Sequence, residues 1–175
     1  MPTQTNPGVA NPRRHELGFT GPGSGWAVAS HDTPADGPSQ SSPAQDADFV
    51  FLQQAFRPSG GLAHGDELAV RLHVDGAGGY ARLARWIVGR QAFSFTWHEH
   101  FWLPLFQFDM PDAALSQRLR PVLSELADVM DGLALANWFA QPNDDLNGHS
   151  PVSLWSAHWP EVHQAARQQR FVMKG

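Results

Sequence analysis

The stretch between residues 138 and 151 constrains the fold more than any other part of the chain. Its sequence is Trp138-Phe139-Ala140-Gln141-Pro142-Asn143-Asp144-Asp145-Leu146-Asn147-Gly148-His149-Ser150-Pro151. Good helix formers precede Pro142, which lacks an N–H and therefore stops the helix. Turn-forming Asn and Asp residues surround Leu146, and Ser150 with Pro151 can begin a new helix. The pattern predicts a helix, a tight polar turn in which Leu146 plugs the core, and a second helix.

A second motif, Leu103-Pro104-Leu105-Phe106-Gln107-Phe108-Asp109, lies upstream. Together the two motifs resemble the toxin-binding domain of antitoxins of the Xre/MbcA/ParS type, over roughly residues 97–175. The resemblance implies a compact helical domain that binds a RES-type toxin and covers its active site through the helices after Pro151. The residues that carry it are Phe106, Gln107, Phe108, Trp138, Pro142, Asn143, Leu146, Gly148 and Pro151. Each also has a physical role within the fold, so we assign these residues chiefly to the scaffold.

The last stretch of the chain supplies the candidate contacts with such a toxin, because the resemblance implies that this region faces it. Exposed aromatic and basic side chains are typical of protein interfaces. The candidate toxin-binding residues are Trp155, Trp159, Arg167, Arg170 and Phe171. The alternative is a terminal helix that simply packs on its own domain.

The first half of the chain divides into two parts. Residues 1–46 are rich in Gly, Pro and Ser and bury too little apolar surface to order themselves, so we expect a disordered tail. Residues 47–96 predict three short helices, over residues 47–56, 65–72 and 80–89. An alternating aromatic run over residues 93–104 then predicts a β-hairpin with residues 98–100 at or near its turn.

The remainder, residues 97–175, predicts further helices. We expect a long one from Ala113 to about Met130, capped by Asp112 and kinked or split at Pro121. Others are expected over residues 133–140, from residue 151, and over residues 160–170. The predicted fold is therefore mainly α with one small β-hairpin: a helix-turn-helix-like part followed by a compact helical domain.

Three short helices followed by a hairpin are typical of a winged helix-turn-helix. The third helix would then offer Arg82, Arg85 and Arg90 to DNA, and a homodimer would bring two such helices onto successive half-sites. However, the turn from His73 to Gly79 is long for a compact helix-turn-helix, and arginines on a helix often form only a solvated face. DNA binding and a purely structural unit both remain open.

Composition narrows the classes of function. With 175 residues the chain has room for one ordinary domain and a tail. A net charge of −5 does not indicate general affinity for nucleic acid. The absence of cysteine excludes disulfides and thiol catalysis. No apolar run approaches the ~18 residues of a membrane span and no signal-peptide pattern is present, so we expect a cytoplasmic protein.

Candidate catalytic and metal-binding residues are few. His98 and His100 would share one strand face and meet one ion, but no third ligand is evident, so an exposed pair at a hairpin tip is preferred. Asp144 and Asp145 lie in a turn, where Asp is favoured for backbone hydrogen bonding. We therefore expect no enzymatic activity, no metal and no cofactor.

Two further functions remain as alternatives to an antitoxin. One is a winged-helix transcriptional regulator that uses its C-terminal domain to dimerise. The other is a non-catalytic adaptor for some other protein partner.

Overall fold

The computed structural model describes residues 43–72, 78–109 and 114–175. They form a mostly helical protein with a small antiparallel sheet, as the sequence predicts. Most of the expected tail, up to residue 42, lies outside the described residues, as do residues 73–77 of the expected turn and the predicted cap Asp112. Within the described ranges, no helix has both the length and the apolar character needed to cross a membrane.

Seven helices and five strands are described. The first half contains α1 (Pro43–Phe56), β1 (Leu62–His64), α2 (Gly65–Leu72), α3 (Gly79–Val88), β2 (Phe95–Trp97) and β3 (His100–Pro104). The second half contains β4 (Phe108–Asp109), β5 (Ala114–Leu115), α4 (Leu119–Leu126), α5 (Gly132–Ala140), α6 (Pro151–Leu154) and α7 (Trp159–Lys174). Short 3₁₀ turns follow α1, β3 and α5, at Arg57–Ser59, Leu105–Gln107 and Asp144–Leu146.

The three-stranded sheet has the order β1-β3-β2, and both pairings are antiparallel. Strands β2 and β3 form the predicted hairpin, which turns at His98 and Glu99. Both residues have positive φ, 47° and 64°, which is the backbone of a type I′ turn and matches the twist of the strands it joins. The third strand, β1, was not predicted. It pairs across the expected boundary at residues 96 and 97, so the two parts share one sheet.

Aromatic rings fill the larger of two apolar clusters, here called the main core. Its centre is Phe139 on α5, which is fully buried. The Phe106 ring lies 4.8 Å from that of Phe139 and 5.1 Å from that of Trp155, and the Phe93 ring lies 5.5 Å from that of Phe139. Helices α1, α4, α5, α6 and α7 all contribute to this cluster.

The second cluster, here called the small core, is mainly aliphatic. Its buried members are Ala63, Leu68, Ala69, Leu72, Leu83, Leu103 and Phe108. Strand β3 serves both clusters, because alternate residues face opposite sides of a strand. Leu103 therefore lies in the small core, whereas Trp102 packs against the main core.

The expected long helix over residues 113–130 is wrong. Ala114 and Leu115 instead form β5, which pairs with β4, and α4 begins only at Leu119. Pro121 therefore lies in the first turn of α4, where a backbone N–H has no partner within the helix. It is therefore tolerated there without breaking a hydrogen bond within the helix.

Candidate functional site

The turn between α5 and α6 is closed by hydrogen bonds of its own backbone. The side-chain oxygen of Asn143 accepts a hydrogen bond from the Asp145 N–H at 2.9 Å. The backbone carbonyl of Asn143 accepts from the N–H groups of Leu146 and Gly148. Gly148 has φ +80°, a conformation that glycine adopts freely. Leu146 is buried in the main core. The turn thereby fixes the direction in which the chain enters α6 and α7.

Gln107 ties the hairpin to the main core. It is fully buried, and its side-chain oxygen accepts from the Phe93 N–H at 2.8 Å. Its amide nitrogen donates to the carbonyls of Phe93 and Pro104 at 2.9 and 3.1 Å. One side chain thus satisfies three buried backbone groups, which would otherwise be costly to bury. Its neighbours Phe106 and Phe108 enter the main and the small core, respectively.

Most of the motif residues are in the interior. Phe106, Gln107, Phe108, Trp138, Leu146 and Pro151 are buried, whereas Pro142 and Gly148 are exposed and Asn143 is half-buried. The indole N–H of Trp138 is buried without a hydrogen-bond partner among the described residues. These positions are consistent with a scaffold that holds the two last helices.

Helix α7 is held against α4. Its inward side chains Val162, Ala165 and Ala166 are buried, and small residues let two helices approach closely. At the far end, the Arg170 guanidinium lies 3.1 Å from Glu125 and donates to the Ser124 carbonyl at 3.0 Å. Glu125 was not identified from the sequence as the partner of Arg170. The available signal was the position of Glu125 beside the apolar stripe of α4.

Beyond Arg170, α7 exposes three consecutive apolar side chains. The exposed fractions are 76% for Phe171, 74% for Val172 and 48% for Met173. We call these three residues the apolar tip. Scattered exposed apolar residues are ordinary on a protein surface, but a contiguous group indicates a contact surface.

The five candidate toxin-binding residues differ in how exposed they are. Trp155 is buried in the main core and offers little surface to a partner. Trp159 is half-buried with its ring 6.4 Å from that of His163, and Arg170 is engaged by α4. Arg167 and Phe171 are exposed on α7.

The three arginines expected to contact DNA do not form one basic row. Arg85 is exposed and Arg82 is half-buried on α3. Arg90 follows the helix with φ +53° and pairs with Asp128.

The rest of the exposed face of α3 is apolar, and Val88 is 84% exposed. Between α3 and the hairpin lies a groove of about 370 Å³. Its lining residues are Tyr80, Leu83, Ala84, Ile87, Val88, Ser94 and Phe101.

The two histidines of the hairpin have different neighbours. His98 is in the turn, with its ring nitrogen 3.4 Å from Asp46 of α1. His100 is on β3, with its ring 4.5 Å from that of His64 on β1. In the parts of the chain that the structure describes, no three His, Asp or Glu side chains are grouped so that they could hold a metal ion.

No family model, curated protein or solved structure is significantly similar to this chain.

Proposed function

We propose that this chain is an antitoxin-like protein that binds a toxin protein and neutralises it by covering the toxin's active site. The toxin is a RES-type protein, in line with the resemblance of the two motifs. The observation that carries the proposal is the apolar tip, Phe171 to Met173, which is exposed at the end of a helix that Arg170 joins to Glu125 of α4.

The apolar tip has the properties of a binding hot spot. Burying a large apolar side chain stabilises a complex by about 1.5–3 kcal/mol, and a few such anchors dominate most interfaces. Because α4 and the Arg170–Glu125 pair already order α7, little conformational entropy is lost when the tip docks.

The motif residues contribute indirectly to this activity. The turn closed by Asn143 and the plug Leu146 fix where α6 begins, and Val162, Ala165 and Ala166 fix α7 on α4. The proposal also places the protein in the cytoplasm.

The test is rescue of growth. A RES-type toxin from a gene beside this one is expressed with the intact chain, with Phe171→Asp, or with Phe51→Asp. Phe51 is an exposed phenylalanine on α1 and therefore provides a matched control. We expect the intact chain and Phe51→Asp to restore growth and Phe171→Asp to fail. Continued growth arrest with the intact chain, together with no stable complex in size-exclusion chromatography, would refute the proposal.

A second function, operator binding, is favoured by the order of elements. The succession α1-β1-α2-α3-β2-β3 with sheet order β1-β3-β2 is compatible with a winged helix-turn-helix, and in such a unit α3 would enter the major groove. A homodimer that binds its own operator in this way would regulate its operon. The apolar groove beside α3 and the pairing of Arg90 with Asp128 limit the basic surface available for phosphates.

Operator binding is tested by salt titration of the affinity for promoter DNA. Replacing Arg85 by Ala is expected to lower the slope of log affinity against log salt by about one if that side chain contacts a phosphate. An unchanged slope, or no binding by the intact chain, would leave α3 as a structural helix.

A further inference from the structure

The exposed face of α7 carries a regular pattern of charge and apolar surface. Arg167, Phe171 and Lys174 are spaced at i, i+4 and i+7, so they lie along one side of the helix. All three are exposed. We call them the α7 stripe. It is distinct from the inward side chains that pack on α4.

The charge of this end of the helix is opposite to that of the whole protein. Residues 164–175 contain Arg167, Arg170 and Lys174 and no acid, whereas the whole chain carries −5. Glu125 neutralises Arg170. No ion pair engages Arg167 or Lys174 among the described residues, so the two cations beside Phe171 are available to a partner.

Helix electrostatics explain only part of this pattern. A cation in the last turn interacts favourably with the helix dipole, and the effect fades beyond that turn. That accounts for Lys174. It does not account for Arg167, which lies two turns from the end, or for a phenylalanine left 76% exposed between two cations.

We propose that the α7 stripe docks on a protein cavity that is apolar inside and carries carboxylate side chains at its rim. This inference rests on the proposed function, and the cavity belongs to the toxin. Phe171 enters the cavity while Arg167 and Lys174 each meet a carboxylate. Seven residues of helix rise about 10 Å, so the two carboxylates lie about 10 Å apart on either side of the opening.

Two other anionic partners fit the pattern less well. A helix that lies on a membrane needs a long apolar face, but here the exposed apolar surface spans one turn and the inward face is already covered by α4. Nucleic acid is held by many cations acting together, and this end of the chain offers two.

The experiment measures binding of the purified full-length chain to the toxin by surface plasmon resonance, at low and high salt. The charge variant is Arg167→Glu with Lys174→Glu, and the apolar variant is Phe171→Ala. The control is Arg71→Glu, which reverses an exposed cation on α2. Because the replaced side chains are exposed, circular dichroism and thermal unfolding should match those of the unchanged chain.

We expect the charge variant to slow association at least about tenfold at low salt, with a smaller difference at high salt, because rim charges act mainly on the association rate. Phe171→Ala should speed dissociation about thirtyfold or more, as for a hot-spot residue. Arg71→Glu should change either rate less than about threefold.

The possible failures are distinguishable. If the charge variant binds like the unchanged chain while Phe171→Ala is impaired, the carboxylate rim is refuted and the proposed function stands. If all variants bind equally, the toxin docks elsewhere and the stripe is not its site. If the intact chain does not bind the toxin, both proposals fail. Stripe-dependent binding to phosphatidylserine vesicles or to duplex DNA would then assign the stripe to that partner instead.

Discussion

The main core and the small core differ in what fills them and in how far along the chain their members are separated. Rings from residues 93, 106, 139 and 155 meet in the main core. The small core is largely a local packing of α2 on α3, completed by Leu103 and Phe108. Helix α7 joins the main core through Val162, Ala165 and Ala166, which pack against segments distant in sequence, whereas α3 packs mainly on its sequence neighbour α2. The two cores should therefore respond differently to mutation.

The largest expected effect comes from removing the central ring. Phe139→Ala should lower the free energy of unfolding by about 3–5 kcal/mol, because it deletes a buried ring that contacts several others. Leu83→Ala in the small core should cost about 2–3 kcal/mol, at the lower end for a buried leucine. Urea unfolding followed by tryptophan fluorescence compares the two. A larger loss for Leu83→Ala would reverse the ranking of the cores.

Two glycines, one beside each core, should differ in their tolerance of a larger side chain. A Cβ at Gly132 would lie 1.8 Å from the Ser94 carbonyl oxygen, whereas at Gly65 it would lie 2.0 Å from the Phe101 ring. Backbone cannot move aside, but a half-buried ring at the edge of the small core can rotate. Gly132→Ala should therefore destabilise by about 3 kcal/mol and Gly65→Ala by about 1 kcal/mol. Equal melting temperatures for the two variants would contradict this argument.

The Gln107 side chain links the hairpin to the main core, and its removal should have an intermediate effect. Gln107→Leu leaves the Phe93 N–H and two carbonyls without partners, which should cost about 2 kcal/mol. Gln141→Leu replaces an exposed glutamine and should change stability by less than about 0.5 kcal/mol. Chemical denaturation measures both. Similar midpoints for the two variants would show that water satisfies the freed groups.

Replacing either arginine of α7 should change stability least, and the two replacements should differ from each other. Arg170→Ala should lower stability by about 0.5–1 kcal/mol, since it removes a partly buried pair with Glu125. It should also speed hydrogen exchange in the last turns of α7. Arg167→Ala should change neither quantity, because that side chain is exposed. If exchange in α7 is the same in both variants, Arg170 does not anchor the helix.

Sequence patterns predicted the helices and strands that are determined by neighbouring residues in the chain. Helix α2 has the predicted bounds because Gly65 and Asp66 start an apolar stripe that ends at Leu72. The hairpin was also predicted, since alternating aromatic residues surround a short turn. By contrast, β1 has only three residues and exists through pairing with β3, 38 to 42 residues away in the chain, a contact that no local pattern encodes.

The candidate site was predicted less completely than the fold. Trp155 and Phe171 are both aromatic and both follow Pro151, yet one is in the main core and the other is exposed. Trp155 is buried because its ring contacts those of Phe106 and Phe139. These contacts join segments far apart in the chain, so the sequence around Trp155 does not encode them.

The Gln107 side chain also holds together the two ends of the segment that contains the hairpin. By bonding to Phe93 and Pro104, it closes the base of the segment from residue 93 to residue 107. Residues inserted between His98 and Glu99 would lengthen a loop whose ends are already held, and the entropy of closing a loop grows only slowly with its length. The hairpin tip is therefore a suitable place to insert an epitope tag or a fluorescent reporter while both cores stay intact.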